Sequence, residues 1–284
     1  MENLKFENVQ IFNFEGSLRG MRNPKNSWHL SDSKFGLSHD FGYTEDRDAV
    51  VQAWLDKNPN DNNEKYLTYL MQNGFLRKDE NNYCEYAFIG PKDMRLAKAL
   101  INGGSEHRKF LRQILVTVDI TAPLFWWKEF DTYKVGTTAN STSTMHKLAE
   151  TPITRDCFLW DVANNELTFE DIVEMPDIDK KVTKINFTTL VEQELNHIIH
   201  TCEQLRQLYL ETKDTRYWRA LIELLPNSWC QTRTVTLNYE NLLCMCKQRR
   251  NHKLPEWRED FISWARTLPY ASEFIFVDEQ DAMS

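Results

Sequence analysis

Between Leu111 and Thr121 the chain reads Leu-Arg-Gln-Ile-Leu-Val-Thr-Val-Asp-Ile-Thr, rich in β-branched side chains and partly alternating, which predicts a strand buried on at least one face. Ala122-Pro123 ends it, and Pro123 suits the first turn of a helix carrying Leu124, Phe125, Trp126, Trp127 and Phe130. Around this strand the sequence favours helix. Nine glycines and nine prolines occur in 284 residues, about half of average usage, which disfavours a turn-rich sandwich. Val191, Leu195, Ile198, Cys202, Leu205 and Tyr209 lie within about 40° of one line on a helical wheel and predict a long core helix.

The remaining elements follow from the same periodicities. Val9, Ile11, Phe12 and Phe14 suggest a strand, leading through Glu15-Gly16-Ser17-Leu18-Arg19-Gly20 into a polar loop that runs to about Thr44. Val50 to Leu55 has helical spacing, the Asn- and Asp-rich run from Asn58 to Asn63 breaks it, and Leu67 to Met71 gives another helix ended by Gly74. Pro91 opens a third, which stops at Gly103-Gly104. Further helices are expected at Arg216 to Leu225, Tyr239 to Arg250 and Glu256 to Thr267. Asp161 to Lys184 turns acidic and then basic and is expected to be a surface insertion with a short helix; Asp278 to Ser284 is expected to fray. With no repeat and no composition break, residues 1–284 are expected to form a single α+β domain with a helical C-terminal half.

Charge and motif content exclude several functions. The 34 Lys and Arg against 42 Asp and Glu give a net charge of −8, which argues against a general nucleic-acid-binding surface. No apolar run approaches the roughly 18 residues of a membrane helix, and Met1 to Lys5 lacks a basic region followed by an apolar stretch, so a cytoplasmic protein is expected. The six cysteines are scattered without a Cys-x-x-Cys pair and read as buried reduced thiols. Glu194, His197, His200 and Glu203 look like half of a metal helix, but His197 and His200 lie about 120° and 180° from the apolar stripe. No metal site is expected. Gly-x-Gly-x-x-Gly, Walker and Gly-x-Ser-x-Gly signatures are absent.

What remains is a hydroxyl-rich stretch holding Thr132, Thr137, Thr138, Ser141, Thr142, Ser143 and Thr144, with Lys134 and Lys147. Hydroxyls, backbone N–H groups and a lysine together suit a phosphate. The same composition also suits a polar loop that caps helices and turns.

The run from Thr117-Val-Asp-Ile-Thr-Ala-Pro-Leu-Phe-Trp-Trp-Lys-Glu-Phe-Asp-Thr-Tyr-Lys to Leu148 resembles the central strand, Ala-Pro turn, helix and signature loop of flavin-dependent thymidylate synthases. His107 upstream, and Leu225-Pro226, Thr236-Leu237-Asn238 and Gln248-Arg249 downstream, follow that family's order and spacing. Phe14-Glu-Gly-Ser-Leu-Arg-Gly-Met-Arg-Asn-Pro and Phe125-Trp-Trp-Lys-Glu-Phe-Asp-Thr-Tyr-Lys further resemble an uncharacterised bacterial and phage branch. The resemblance implies a central antiparallel sheet packed by long helices, with insertions at 58–90 and 161–184. It implies FAD, with methylenetetrahydrofolate and NADPH as co-substrates, acting on a pyrimidine deoxynucleotide in a homotetramer whose sites lie between subunits. Trp126-Trp127 would then be covered either by a neighbouring subunit or by the chain's own core.

Carried over by position, His107, Tyr133, Lys134 and Asn238 face the flavin, and Thr132, Thr137, Asn140, Thr142, Thr144 and Arg249 face the nucleotide. No catalytic residue is assigned, because the cofactor performs the hard step. The chain departs from the signature: Thr132-Tyr133-Lys134 stands for Arg-His-Arg, Ala139-Asn140 for Asn-Glu, and Thr142-Ser143-Thr144-Met145 for Ser-x-Arg-Tyr. Glu240 and Cys244 replace the Arg and Asn that the family's late helix offers the flavin. Two alternatives therefore stand beside the family reaction. One is a modifier of another pyrimidine nucleotide, acting on dCMP or transferring hydroxymethyl. The other is a catalytically silent nucleotide-binding or assembly protein.

Overall fold

The computed structural model of the protein describes residues 4–37, 77–78, 84–143, 148–160, 168–173 and 181–281. Its main sheet has the order β1 (Lys5–Phe12), β5 (Leu115–Pro123), β9 (Cys230–Asn238), β6 (Thr138–Ser141), and each neighbouring pair is antiparallel. The strand period of two divides this sheet into an apolar and a polar face. Val116, Val118, Ile120 and Ala122 of β5 and Val235 and Leu237 of β9 are all fully buried. The alternate residues, Thr117, Asp119, Thr121, Thr232, Thr234 and Thr236, point the other way and bond to one another. Thr121 and Thr232 hydroxyls lie 2.7 Å apart, those of Thr117 and Thr236 lie 3.2 Å apart, and Thr234 donates to Asp119 at 2.5 Å.

Helices cover the apolar face. They are α1 (Phe14–Arg22), α2 (Pro91–Asn102), α3 (Leu124–Phe130), α6 (Tyr239–Arg249) and, beyond it, a π-helical turn (Glu256–Phe261) continuing into α7 (Ile262–Arg266), α8 (Ala271–Phe274) and α9 (Val277–Asp281). The aromatic centre of this layer is Trp126, which stacks on Trp257 at 4.4 Å between ring centroids and on Phe130 at 5.2 Å. Trp127 donates its indole N–H to the Gln231 carbonyl at 2.9 Å. Both tryptophans are thus buried in the chain's own core, and no neighbouring subunit is needed to cover them. Among the described residues no helix is long and apolar enough to cross a membrane.

Several expectations are corrected. Phe14 opens α1 instead of extending β1, because Phe14, Ser17, Leu18 and Met21 fall at helical spacing and are all buried; Gly16 and Gly20 lie within the helix. The described part of the following polar loop holds two 3₁₀ turns, Asn23–Lys25 and Trp28–Leu30, and β2 (Lys34–Leu37). β2 pairs with β4 (Cys84–Phe88), which also pairs with β3 (Arg77–Lys78). Leu111 lies in a 3₁₀ turn (Arg108–Gln113), so β5 begins later than expected, and Pro123 closes the strand as the N-cap of α3. The described part of the 161–184 stretch is strand, not helix: β7 (Thr168–Val173) pairs antiparallel with β8 (Lys181–Asn186), and Thr, Ile and Val in both runs favour strand. The tail continues as α9 to Asp281, held by ion pairs from Arg250 to Asp278 at 2.6 Å and from Arg266 to Glu279 at 2.7 Å. The helices expected at Val50 to Leu55 and Leu67 to Met71 lie outside the described residues.

The long helix is α4 (Phe187–Thr212), which pairs with α5 (Thr215–Leu224) over a smaller core of Leu148, Ile153, Phe158, Cys202 and Leu221. The four residues of the apparent metal half-site do not converge: His197 and His200 are exposed, and Glu203 serves as a structural clamp. Its carboxylate accepts from Arg206 at 2.6 and 2.8 Å, from Gln207 at 2.8 Å and from the Ile153 backbone at 2.9 Å, tying residues 148–158 to α4. Arg206 completes the clamp by donating to the Ala149 carbonyl at 2.9 Å. Cys157, Cys202, Cys230, Cys244 and Cys246 are free, and burial raises the Cys202 thiol to about 11.

The Glu203 carboxyl is lowered from 4.5 to about 2, chiefly by the Arg206 hydrogen bonds. A folded-state pKa below the unfolded value stabilises the fold above about pH 4.5, and that contribution is lost as pH falls toward about 2. Denaturant titrations from pH 6 to pH 2.5 (about the carboxylate range) should show Glu203→Gln losing less stability than the parent over this window. Equal pH slopes in the two proteins would contradict the clamp.

Candidate functional site

Of the residues singled out in the sequence, Tyr133, Asn238 and Arg249 lie where the C-terminal end of β9 passes into α6. Asn238 ends the strand and caps the helix: its side-chain oxygen accepts from the Asn241 N–H at 3.0 Å, while its own N–H donates to the Asn241 side chain at 3.2 Å. This reciprocal cap satisfies two orphan helix donors. Asn241 also reaches the preceding loop, donating its amide N–H to the Val135 carbonyl at 2.8 Å. Gly136 packs against the cap in the left-handed region, with φ of 78°, and a Cβ there would meet the Asn238 amide nitrogen at 2.8 Å. Only glycine lets the loop lie this close. From Gly136 the chain runs into β6, which pairs Thr138 with Thr236 and Asn140 with Thr234.

Tyr133 and Arg249 form the floor beneath this loop. The Tyr133 hydroxyl donates to the Gln248 side chain at 2.9 Å and accepts from Arg249 Nε at 2.8 Å. Arg249 also donates to Glu129 Oε2 at 2.7 Å, an oxygen shared with His252 Nε2 at 3.1 Å. Its guanidinium lies 4.9 Å from the Trp257 ring and 5.3 Å from the Tyr133 ring. Burial raises the Tyr133 phenol above its usual value, partly offset by Arg249. The phenol is therefore a neutral hydrogen-bonding group.

The hydroxyls of the loop divide into two sets. Thr132 donates to the Glu129 carbonyl at 2.7 Å, Thr137 donates to the Tyr133 carbonyl, and Thr142 donates to the Thr232 carbonyl at 3.2 Å. These three protons are spent on the backbone. Lys134, Thr138 and Asn140 are exposed and make no side-chain hydrogen bond among the described residues. Thr144 lies outside the described residues. His107 is exposed on the 3₁₀ turn, packed near Gly103.

That same turn carries Arg108 and Arg112, both of which bond the Glu240 carboxylate in the first turn of α6; Arg108 Nε lies 3.2 Å from it. Arg108 also approaches the Cys244 sulfur at 3.7 Å. Burial pushes the Glu240 carboxyl up, but the hydrogen bonds from Arg112 and Arg108 outweigh it and its pKa falls below the usual value. Glu240 is thus a buried anion enclosed by two guanidinium groups.

The sequence reading missed the apolar lip beside these donors. Phe12 and Leu115 are register partners, 46% and 38% exposed, and Leu115 faces Asn238 across the sheet. Val135 at the loop tip is 87% exposed. Strand parity contains the signal: Leu115 shares a face with Thr117 and Asp119, and Thr138 shares one with Asn140. The corner thus offers an apolar shelf at the end of a hydroxyl-lined sheet face, bordered by one lysine. Flat apolar rings and small anions suit these two halves.

No family model matches the chain, and no curated protein matches it in sequence. Among solved structures, the chain is similar to a flavin-dependent thymidylate synthase ThyX from Helicobacter pylori complexed with FAD and dUMP, at 17% identity and TM-score 0.45, covering 66% of this chain and 84% of that one. A second ThyX structure from the same organism with FAD and dUMP gives 16% identity and TM-score 0.45 over 87% of this chain and 98% of that one. A UMP/dUMP methylase PolB from Streptomyces cacaoi, bound with 5-Br UMP, gives 15% and 0.45 over 64% and 84%. The α+β class itself rests on this chain's own antiparallel sheet and helices.

Gly136→Ala should unlatch the loop from the Asn238–Asn241 cap, with a strain on the order of 1–3 kcal/mol. Hydrogen exchange of residues 132–142 should accelerate while β5 keeps its protection; unchanged loop exchange would remove the latch.

Proposed function

We propose that the β9–α6 corner binds a pyrimidine nucleotide and that the chain is a divergent flavin-dependent modifier of the thymidylate synthase type, transferring one carbon to C5 of dUMP or a related nucleotide. The observation that carries this is the corner's two-part chemistry. The shelf of Phe12 and Leu115 suits a flat ring, Val135 at the loop tip adds exposed apolar surface, and Lys134, Thr138 and Asn140 hold donors ready for a phosphate. The motif resemblance supplies the reaction, with FAD as cofactor and methylenetetrahydrofolate and NADPH as co-substrates in a homotetramer.

Whether these residues suit FAD turns on Glu240, since an isolated carboxylate would repel a pyrophosphate. Arg108 and Arg112 bring two positive charges to its one negative charge, so the first turn of α6 is locally cationic and fits the group. In this reading His107, Tyr133, Lys134 and Asn238 hold and orient the flavin, Lys134 facing the nucleotide phosphate as well, with Arg108 and Arg112 setting the field. When bound, the flavin supplies the redox chemistry of one-carbon transfer.

On the nucleotide side, the assignment falls to Thr132, Thr137, Asn140, Thr142, Thr144 and Arg249. Phosphate accepts hydrogen bonds and donates none when fully ionised, so Thr132, Thr137 and Thr142 contribute only by surrendering backbone bonds of about 1 kcal/mol each. Lys134 and Asn140 carry no such penalty. Arg249 holds Tyr133 and Glu129, and it would meet the base or phosphate through the rest of its guanidinium fork. The same spent donors favour a second reading, a catalytically silent nucleotide-binding protein that keeps the scaffold.

An absorbance spectrum from about 300 to 550 nm, the flavin range, taken after adding FAD and removing the excess, separates the two. Flavin bands travelling with the protein support the enzyme; a colourless protein that binds dUMP supports the silent reading. In either case Lys134→Ala should weaken dUMP binding on the order of tenfold, the effect of one charged hydrogen bond. Unaltered affinity in both Lys134→Ala and Arg249→Ala would remove the nucleotide from this corner.

A further inference from the structure

On the opposite side of α6 lies a cavity that the nucleotide reading does not use. On that helix Leu243 and Lys247 stand about 200° and 240° around from Asn241, so they face away from the loop. The cavity has a volume of about 230 Å³. Ile101 of α2, Leu243 of α6 and Ile275 and Val277 of the C-terminal segment give it apolar walls, and Arg108 and Lys247 stand at its rim.

Charge around this cavity departs from that of the whole chain. Arg108 and Arg112 share Glu240, while Arg250 and Arg266 share Asp278 and Glu279. Lys247 adds a cation with no hydrogen bond or ion pair among the described residues. Glu106 and Lys109 nearby pair with each other. The ion-pairing groups therefore leave a surplus of one positive charge, which Lys247 raises to two, in a protein whose net charge is −8. Asp278, the carboxylate on the lining, is turned to Arg250 at 2.6 Å. Gly104 forms part of the lip with φ of 96° and open space where a Cβ would stand, so the entrance is not crowded there.

We propose that this cavity is a second ligand site, for a small amphipathic anion: an apolar body carrying a phosphate or carboxylate head, about ten non-hydrogen atoms in all. The size follows from the volume, which equals that of about eight waters at ~30 Å³ each. The apolar body seats between α2, α6 and the C-terminal segment. The head faces Lys247 and Nη1 of Arg108, which makes no hydrogen bond among the described residues, while its Nε and Nη2 are engaged with Glu240 and Cys244. Occupation would tie the C-terminal helices to α6 independently of any nucleotide at the corner.

Calorimetric titration of the full chain with phenyl phosphate, benzoate, inorganic phosphate and benzyl alcohol tests this. Phenyl phosphate or benzoate should bind more tightly than both inorganic phosphate and benzyl alcohol, since only the first two engage both halves of the site. Lys247→Gln, a surface change that leaves the core intact, should weaken that binding about tenfold and leave dUMP affinity unaltered. Ligand-induced methyl chemical shifts should concentrate on Ile101, Leu243, Ile275 and Val277. Equal affinity for the aromatic anions and benzyl alcohol, an indifferent Lys247→Gln, or shifts elsewhere would each overturn the proposal. So would the absence of any binding at millimolar concentration.

Discussion

The pairing of β5 with β9 is the constraint on which the rest depends. Nine residue pairs join Leu115–Pro123 to Cys230–Asn238 without a register shift, and because side chains alternate, one register decides both faces at once. A slip of one residue would turn Val116, Val118 and Ile120 outward and bury Thr117, Asp119 and Thr121. The buried face sets the aromatic layer around Trp126 and Trp257; the other face sets the hydroxyl array. Asp119 shows how that array is held, its carboxyl lowered by hydrogen bonds from Thr234 first and Asn8 second. The same register places Leu115 beside Asn238, so the apolar shelf and the helix cap meet at one corner.

Much of this was legible in the sequence where the periodicity is long and the breakers are sharp. The stripe from Val191 to Tyr209 becomes α4, and Pro91 to Gly103 becomes α2 within a residue of the expected ends. Readings failed where local composition and tertiary partners disagree. Two glycines disguised α1, whose helix is decided by burial of Phe14, Leu18 and Met21. Polar residues disguised α9, whose order comes from Arg250 and Arg266, distant in sequence and invisible to a local reading. The loop, Asn238 and Arg249, which the sequence singles out, are linked through Asn241 and Tyr133. The division between spent and unspent hydroxyls was not legible, because it depends on which backbone carbonyls lie within reach.

Charge replacement is the physical theme of the corner. The first turn of α6 carries Glu240 where the resembling family has an Arg, and the facing 3₁₀ turn supplies Arg108 and Arg112. Burying one carboxylate between two guanidinium groups avoids the unpaired buried charge that would destabilise the fold by several kcal/mol. It also reverses the sign that Glu240 alone would give this surface. A departure that reads in one dimension as the loss of a cation is met, in three, by two cations on the neighbouring element.

The most direct test of the nucleotide corner is photocrosslinking of the intact chain with 5-iodo-dUMP, followed by peptide mapping. An iodopyrimidine seated on the Phe12–Leu115 shelf with its phosphate toward Lys134 should label Phe12 or the loop carrying Tyr133, and unlabelled dUMP should suppress the product. Labelling confined to α4, α5 or the C-terminal helices, or labelling that excess dUMP leaves unaltered, would contradict the account.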